Sequence, residues 1–217
     1  MNNIYFRHIC LLILFLFAYL PLISQVNFTL DLKTADSLEQ LLPNADGKEK
    51  VDILNGISFS LIRHNSDKSD STASLAIKLA DDIGYKEGLA KAYFSKGTSD
   101  YIKGDFIESI TLLYDALVLY EEIADTNMII ETYYQIGAIS FFSLTDLEEG
   151  LRCIQKCIDY AKASGLTHWV SQMYSSYQYC YSMAGDNENA LKYLDMYTQY
   201  AKNMSVERLE EAMVIAA

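Results

Sequence analysis

From about residue 48 onward, apolar and polar positions alternate with helical period, the abundant Ala, Leu, Glu, Lys and Ile recurring at three- and four-residue spacing. That period places one apolar stripe along a helix and polar residues on its opposite face. Only Pro21 and Pro43 interrupt the chain, so nothing after Pro43 removes a backbone amide hydrogen from a helix. The pattern predicts paired helices. The first helix of each pair falls near 48–63, 86–102, 127–143 and 167–184, and the second near 68–82, 106–123, 147–163 and 188–202. Turns within the pairs read Asn65-Ser66-Asp67, Lys103-Gly104-Asp105, Leu144-Thr145-Asp146 and Gly185-Asp186-Asn187. All four supply Asp for the next helix N-terminus, and all but Leu144-Thr145-Asp146 supply Gly or Asn for left-handed backbone. Ahead of them, Ser37 and Gln40 have capping-box spacing for a short helix through Leu42, stopped by Pro43-Asn44.

The pairs are copies of one unit. Ala76, Ala116, Cys157 and Tyr197 follow one another at 40, 41 and 40 residues, and Leu54, Tyr93, Tyr133 and Tyr174 at 39, 40 and 41. A helical unit repeated at this interval cannot bury its apolar face alone, so it stacks on its neighbours as a solenoid. The small residue on each second helix is read as a notch that receives a large residue of its partner, with Tyr93, Tyr133 and Tyr174 as the knobs.

Several of these residues carry a resemblance. Tyr93-x-x-x-Gly97 with Gly104-Asp105-Phe106, Ser109 and Ala116 resembles a tetratricopeptide repeat. Tyr133-x-x-Ile136-Gly137 with Gly150 and Cys157 is similar, as is Tyr174-x-x-Tyr177 with Tyr181, Gly185-Asp186, Ala190 and Leu194. The segment Val51 to Asp82 looks like a degenerate first copy. The likeness covers roughly 48–202. It departs in its longer period, the missing closing Pro and the Tyr or Leu at the usual Trp position, traits similar to the long-helix repeats of exported bacterial sensor and regulatory proteins. The fold it implies is all-α, a right-handed superhelical solenoid of antiparallel helix pairs. The expected organisation is a signal peptide over 1–24, a lead-in with a short helix over 25–47, four helical hairpins over 48–204, and an incomplete further repeat or capping helix over 205–217.

The resemblance also implies that first helices line a concave binding face for a protein or peptide. By register with Gly97 and Gly137 that face takes Asn55, Phe59 and Arg63 from the first unit, and Lys91, Phe94, Thr98 and Tyr101 from the second. Glu131, Tyr134, Phe141 and Phe142, with Ala138, come from the third, and Gln172, Ser175 and Tyr179, with Met183, from the fourth. Tyr and Phe give large rigid contact area at small entropic cost. The competing reading is that Phe141 and Phe142 only seal the stack.

Other features change the picture less. Arg7 and His8 precede an apolar run from Ile9 to Ile23, too short for a membrane span, and Ser24 follows. This is the pattern of a cleaved signal peptide, with an uncleaved N-terminal anchor as the alternative, so the chain is expected to be periplasmic or extracellular. Losing 1–24 removes Arg7 and no acid, moving the net charge from −12 to −13. Such a surface repels nucleic acid and anionic lipid. Cys153, Cys157 and Cys180 are read as buried free thiols. None of the three histidines has a partner at metal spacing, and neither a phosphate loop nor a nucleophile elbow is present. Hence no enzyme, metal or cofactor is expected. The leading expectation is a non-catalytic protein-interaction module, the periplasmic sensing segment of a histidine kinase or transcriptional regulator. The alternative is an assembly scaffold that associates with itself through an uncapped end, where Ser205 would cap a new helix ending in the apolar Met213–Ala217 stretch.

Overall fold

A computed structural model describes residues 32–215, with side chains from Leu32 to Lys202. The expected export segment, residues 25–31 and the apolar side chains of Met213–Ala217 lie outside it. After α1 (residues 32–41) and a 3-10 turn at Leu42–Asn44 come eight helices. They are α2 (Gly47–Leu61), α3 (Ser66–Asp82), α4 (Lys86–Lys103), α5 (Phe106–Glu122), α6 (Thr126–Phe142), α7 (Leu147–Ala163), α8 (Thr167–Met183) and α9 (Asn187–Ile215). Among the described residues there is no strand. Each helix packs on the next, giving an all-α solenoid of helix pairs α2–α3, α4–α5, α6–α7 and α8–α9.

Close approach within a pair depends on residues without bulk. A Cβ placed on Gly97 would stand 3.0 Å from the Ser109 carbonyl oxygen, and one on Gly137 2.9 Å from Cys153 Cβ. Gly150 lies against the same spot, where its Cβ would meet Phe141 Cβ at 3.1 Å. The notches Ala76, Ala116 and Cys157 are fully buried, while Tyr197 at the fourth register is 38% exposed. Of the knobs, Tyr133 and Tyr174 are buried and Tyr93 is half-buried against the main core. That core runs unbroken from Ala90 to Cys180. A smaller one joins Ala35 and Ala45 to Ile53, Ile57 and Leu61, so α1 covers the outer side of α2.

The turns follow a second period. Gly84, Ala124 and Gly165, between pairs, and Gly104, Thr145 and Gly185, within pairs, all have positive φ. In these turns the amide just after the positive-φ residue reaches back to a last-turn carbonyl, as Asp105 N to Asp100 O at 2.9 Å and Asp125 N to Tyr120 O at 3.0 Å, which closes the helix end. The first hairpin differs: Asn65 has an extended φ of −153° and serves as the N-cap of α3, accepting from Lys68 N at 3.0 Å, with Asp67 inside the helix. Asp146 and Asp186 accept from the amides of Glu149 and Asn189 as expected, whereas Asp105 makes no side-chain cap bond.

Two expected helix starts are corrected. Ser37 is not a cap: it lies within α1, where its hydroxyl donates to the Lys33 carbonyl at 2.8 Å, bonding backward along the helix. Ser205 does not begin a new helix either, because α9 continues through it to Ile215. No glycine or proline interrupts residues 187–215, so nothing local forces a turn there.

Polar joints tie the stack sideways. Ser58, Ser69 and Ser99 form a buried hydroxyl chain across α2, α3 and α4, with Oγ–Oγ distances of 3.1 and 2.8 Å. Asp70 on α3 meets Lys96 and Lys103 on α4. Further along, Tyr114 of α5 donates to Glu149 Oε1 of α7 at 2.5 Å, and Arg152 grips both Glu149 oxygens at 2.6 and 2.7 Å. The Arg152 fork, then the Tyr114 hydroxyl, outweigh partial burial and bring the Glu149 carboxyl from an ordinary 4.5 down to about 2.

Two predictions rest on this architecture. Ala124 holds φ 57° where the equivalent turns use glycine, so Ala124→Gly should raise stability by about 0.5–1 kcal/mol in denaturant melts. A loss would mean that the alanine methyl contributes packing. Glu149 has a depressed folded pKa, so its contribution is present above its unfolded value and fades as pH falls from 4.5 toward about 2. Glu149→Gln should therefore cost about 1–2 kcal/mol at pH 7, allowing for partial solvent screening, and the gap to the parent should close across that acid window. A gap independent of pH would assign the effect to shape instead of charge.

Candidate functional site

Cavities open between the first helices α2, α4, α6 and α8, and three of them bear on the expected face. One of about 360 Å³ lies among α2, α4 and α6, lined by Asp52, Asn55, Gly56, Phe59, Lys91, Phe94, Ser95, Tyr120 and Met128. A second of about 400 Å³ adjoins it, sharing Phe59, Phe94 and Met128 and adding Ser60, Ile62, Arg63, Thr98, Glu131 and Gln135. The third, of about 230 Å³, lies between α6 and α8, walled by Tyr134, Gly137, Ala138, Phe141, Phe142, Ile154, Ser175, Ser176, Tyr179 and Cys180.

Of the residues expected on a binding face, Asn55, Phe59, Arg63, Lys91, Phe94, Thr98 and Glu131 line the first two cavities, and Tyr134, Phe141, Phe142, Ser175 and Tyr179 the third. Tyr101 and Gln172 line none of the three. Tyr101 sits near the C-terminal end of α4, its ring 5.9 Å from Phe106, and Gln172 is exposed on α8.

Membership of the lining does not make each residue accessible. Asn55 is buried and its Nδ2 donates to the Gly88 carbonyl at 2.9 Å, binding α2 to α4. Phe94 is buried too, edge-on to Tyr120 with centroids 6.5 Å apart. Both were expected as surface contacts; they are floor. The helices α2 and α4 pack directly on each other, which buries the stripes they turn toward one another. Phe141 is half-buried and presses on Gly150, so it seals α6 on α7, while its neighbour Phe142 is 56% exposed. The two rings meet edge-on at 4.9 Å, and Phe142 also lies 5.7 Å from Tyr179, itself 46% exposed. Tyr134 is half-buried, 6.2 Å from Trp169.

The polar groups divide in the same way. Lys91 is tied to Glu87 at 2.6 Å, and Asp52 accepts from the Tyr85 hydroxyl at 3.1 Å. Burial, then the neighbouring Asp52, pushes Tyr85 up to about 12, so it stays a donor. Thr98 Oγ1 bridges to Gln135 Oε1 at 3.0 Å, linking α4 to α6 across the trough. Burial raises the Glu131 carboxyl, only partly offset by a hydrogen bond with Gln135. The thiols are buried: desolvation pushes Cys153 up to about 12 and Cys180 up to about 11, far from thiolate chemistry. Among the described residues no three His, Cys, Asp or Glu side chains converge as a metal site, and no helix is long and apolar enough to cross a membrane.

Met128, Gln135 and Tyr120 are among the lining residues absent from the expected face. Met128 and Gln135 belong to the helical stripe 128, 131, 135, 138, 142, which extends the expected α6 register one turn back and could have been followed there. Tyr120 comes from a second helix, α5, and reaches the cavity only through tertiary packing.

No protein-family model and no curated protein matches the sequence. Solved structures do match the fold. BtubC (BKLC) from P. vanneervenii superposes with a TM-score of 0.71 at 16% identity, over 81% of this chain and 74% of that one. A Signal Transduction ATPase with Numerous Domains protein with a tetratricopeptide repeat sensor, from Pyrococcus horikoshii, gives 0.74 at 19% identity, over 86% and 29%. A Rap protein complexed with competence and sporulation factor gives 0.70 at 19%, over 86% and 52%. The chain thus spans about half or less of the latter two, and what it shares with all three is the tetratricopeptide-repeat fold.

The division between floor and surface is testable. Replacing Phe142 and Tyr179 together with Ala should leave stability within about 1 kcal/mol of the parent, because both rings are largely solvent-exposed. Phe141→Ala should cost about 2–4 kcal/mol, since it opens the α6–α7 contact. Equal losses in urea melts would put all three rings in the core.

Proposed function

We propose that this chain is an exported, non-catalytic protein-interaction module whose first-helix face captures an apolar segment of a protein or peptide, acting as the sensing segment of a signalling protein. The observation that carries the reading is the exposed pair Phe142 and Tyr179, held 5.7 Å apart beside the α6–α8 cavity. Exposed aromatic surface is costly in water, and rigid rings around a recess are the anchors that dominate protein interfaces. Ser175 and Ser176 at the rim add hydrogen-bonding groups beside the rings, which suits a peptide backbone.

The fold supports the class of partner. Structures of this fold include one whose name describes a tetratricopeptide repeat sensor on a signal transduction ATPase and one solved as a complex with competence and sporulation factor. Export rests on Arg7, the apolar run from Ile9 and Ser24. The strong negative charge disfavours nucleic acid as a partner.

The experiment places a photo-crosslinking amino acid at position 142 in the full chain, expressed in cells and fractionated. The expected product is a crosslink to one polypeptide in the periplasmic or extracellular fraction, lost in the Tyr179→Ala background, with the mature N-terminus near Gln25. Product at twice the chain's own mass would favour the assembly reading. Absence of any crosslink, or a chain retained in the cytoplasm, would defeat the proposal.

A further inference from the structure

The trough at the other end of this face has a different chemistry. Its cavity of about 400 Å³ is floored by Phe94 and Thr98 of α4, and walled on one side by Phe59 of α2 with Arg63 just beyond it, on the other by Met128 and Glu131 of α6. Arg63 and Glu131 are its only charged lining residues. Among the described residues neither makes an ion pair, although ion pairs are common elsewhere on α3, α4 and α7. Arg63 follows the end of α2 and Glu131 lies on α6, while α4, packed against α2, contributes Phe94 and Thr98 to the same trough.

We infer that this trough binds a small zwitterion, an α-amino acid or a short peptide with both termini free, its carboxylate on Arg63, its ammonium on Glu131 and an apolar side chain against Phe59, Phe94 and Met128. The charge balance selects the class. A cation alone would face Arg63 unpaired, and an anion alone would face Glu131. A neutral molecule with both charges satisfies each wall, and the guanidinium fork matches a carboxylate in two bonds. The volume lies in the range of ligand pockets and admits an amino acid or a dipeptide. Glu131 also has something to gain: burial disfavours its charge, and a ligand ammonium would return the lost solvation.

This site is separate from the aromatic pair at α6–α8, so each stands or falls alone. The test is isothermal titration calorimetry of the full chain with L-leucine, L-phenylalanine and leucyl-leucine as probes, and N-acetyl-leucine and leucinamide as single-charge controls. At least one zwitterion should saturate, and the matching blocked compounds should bind at least about tenfold more weakly. Arg63→Gln should weaken the zwitterion by about tenfold while leaving leucinamide as in the parent; Glu131→Gln should weaken the zwitterion and leave N-acetyl-leucine unchanged. Saturation by leucine or phenylalanine identifies a free amino acid, and saturation by leucyl-leucine alone a peptide. Arg63 is exposed, so its variant should melt like the parent and keep the comparison clean. No saturation by any probe up to about 10 mM, equal binding of blocked and unblocked compounds, or parental affinity in both variants would overturn the assignment.

Discussion

Everything in this molecule depends on how closely the two helices of a pair can approach. Where Gly97 faces Ser109, and Gly137 faces Gly150 and Cys153, a single added carbon would collide with backbone or Cβ atoms. Those contacts fix the distance between helices, and through it the direction in which the next pair must stack. Once the second helices are seated by buried small residues such as Ala116 and Cys157, the first helices are left side by side on one face. They meet one another only at points, such as Asn55 on the Gly88 carbonyl and Thr98 on Gln135, with gaps between. The cavities between α2, α4, α6 and α8 are therefore a consequence of tight packing elsewhere.

Apolar packing of this kind is permissive about sliding, and the polar joints remove that freedom. The serine chain across α2, α3 and α4 needs short residues at three registers at once. Beside it, two carboxylates share two lysines unequally. For Asp70, burial works against ionisation but is outweighed by Lys103 and Lys96, so its carboxyl is held below the usual range. For Asp100, almost wholly buried and farther from Lys103 at 3.4 Å, burial wins and raises it. The lysines' positions decide the difference. A displacement along the helix axis would break both arrangements, which makes such networks better at fixing register than at adding net stability.

The helices and their turns were legible because they follow from short-range chemistry. Periodic apolar positions mark α2 to α8, and Asp146 and Asp186 cap the helices their positions announce, whereas α3 takes Asn65 as its cap in place of the expected Asp67. Local signals failed where a competing local bond or its absence decided the outcome, as at Ser37, which bonds back along its own helix, and at Ser205, where nothing stops α9. For the site, the register located the face but could not separate neighbours. Phe141 and Phe142 are adjacent in sequence, and only the proximity of Gly150 sends one inward. Asn55 is polar and still buried, because the Gly88 carbonyl lies within its reach. Both facts are tertiary.

The same repeat can therefore carry unlike chemistry along one face. Stacking constrains the residues that meet the second helices and leaves the outward half-turn of each first helix free to vary. At α6 and α8 that freedom is filled by rings, which keep Phe142 and Tyr179 in contact while exposed. Just past α2 and on α6 the trough is lined by the opposite charges of Arg63 and Glu131. Because backbone geometry is set by the small-residue contacts behind, neither surface has to contribute to folding. Recognition at one end can then change without a compensating change in the core, a separation that a single-core globule, where surface and interior share the same helices on all sides, provides less readily.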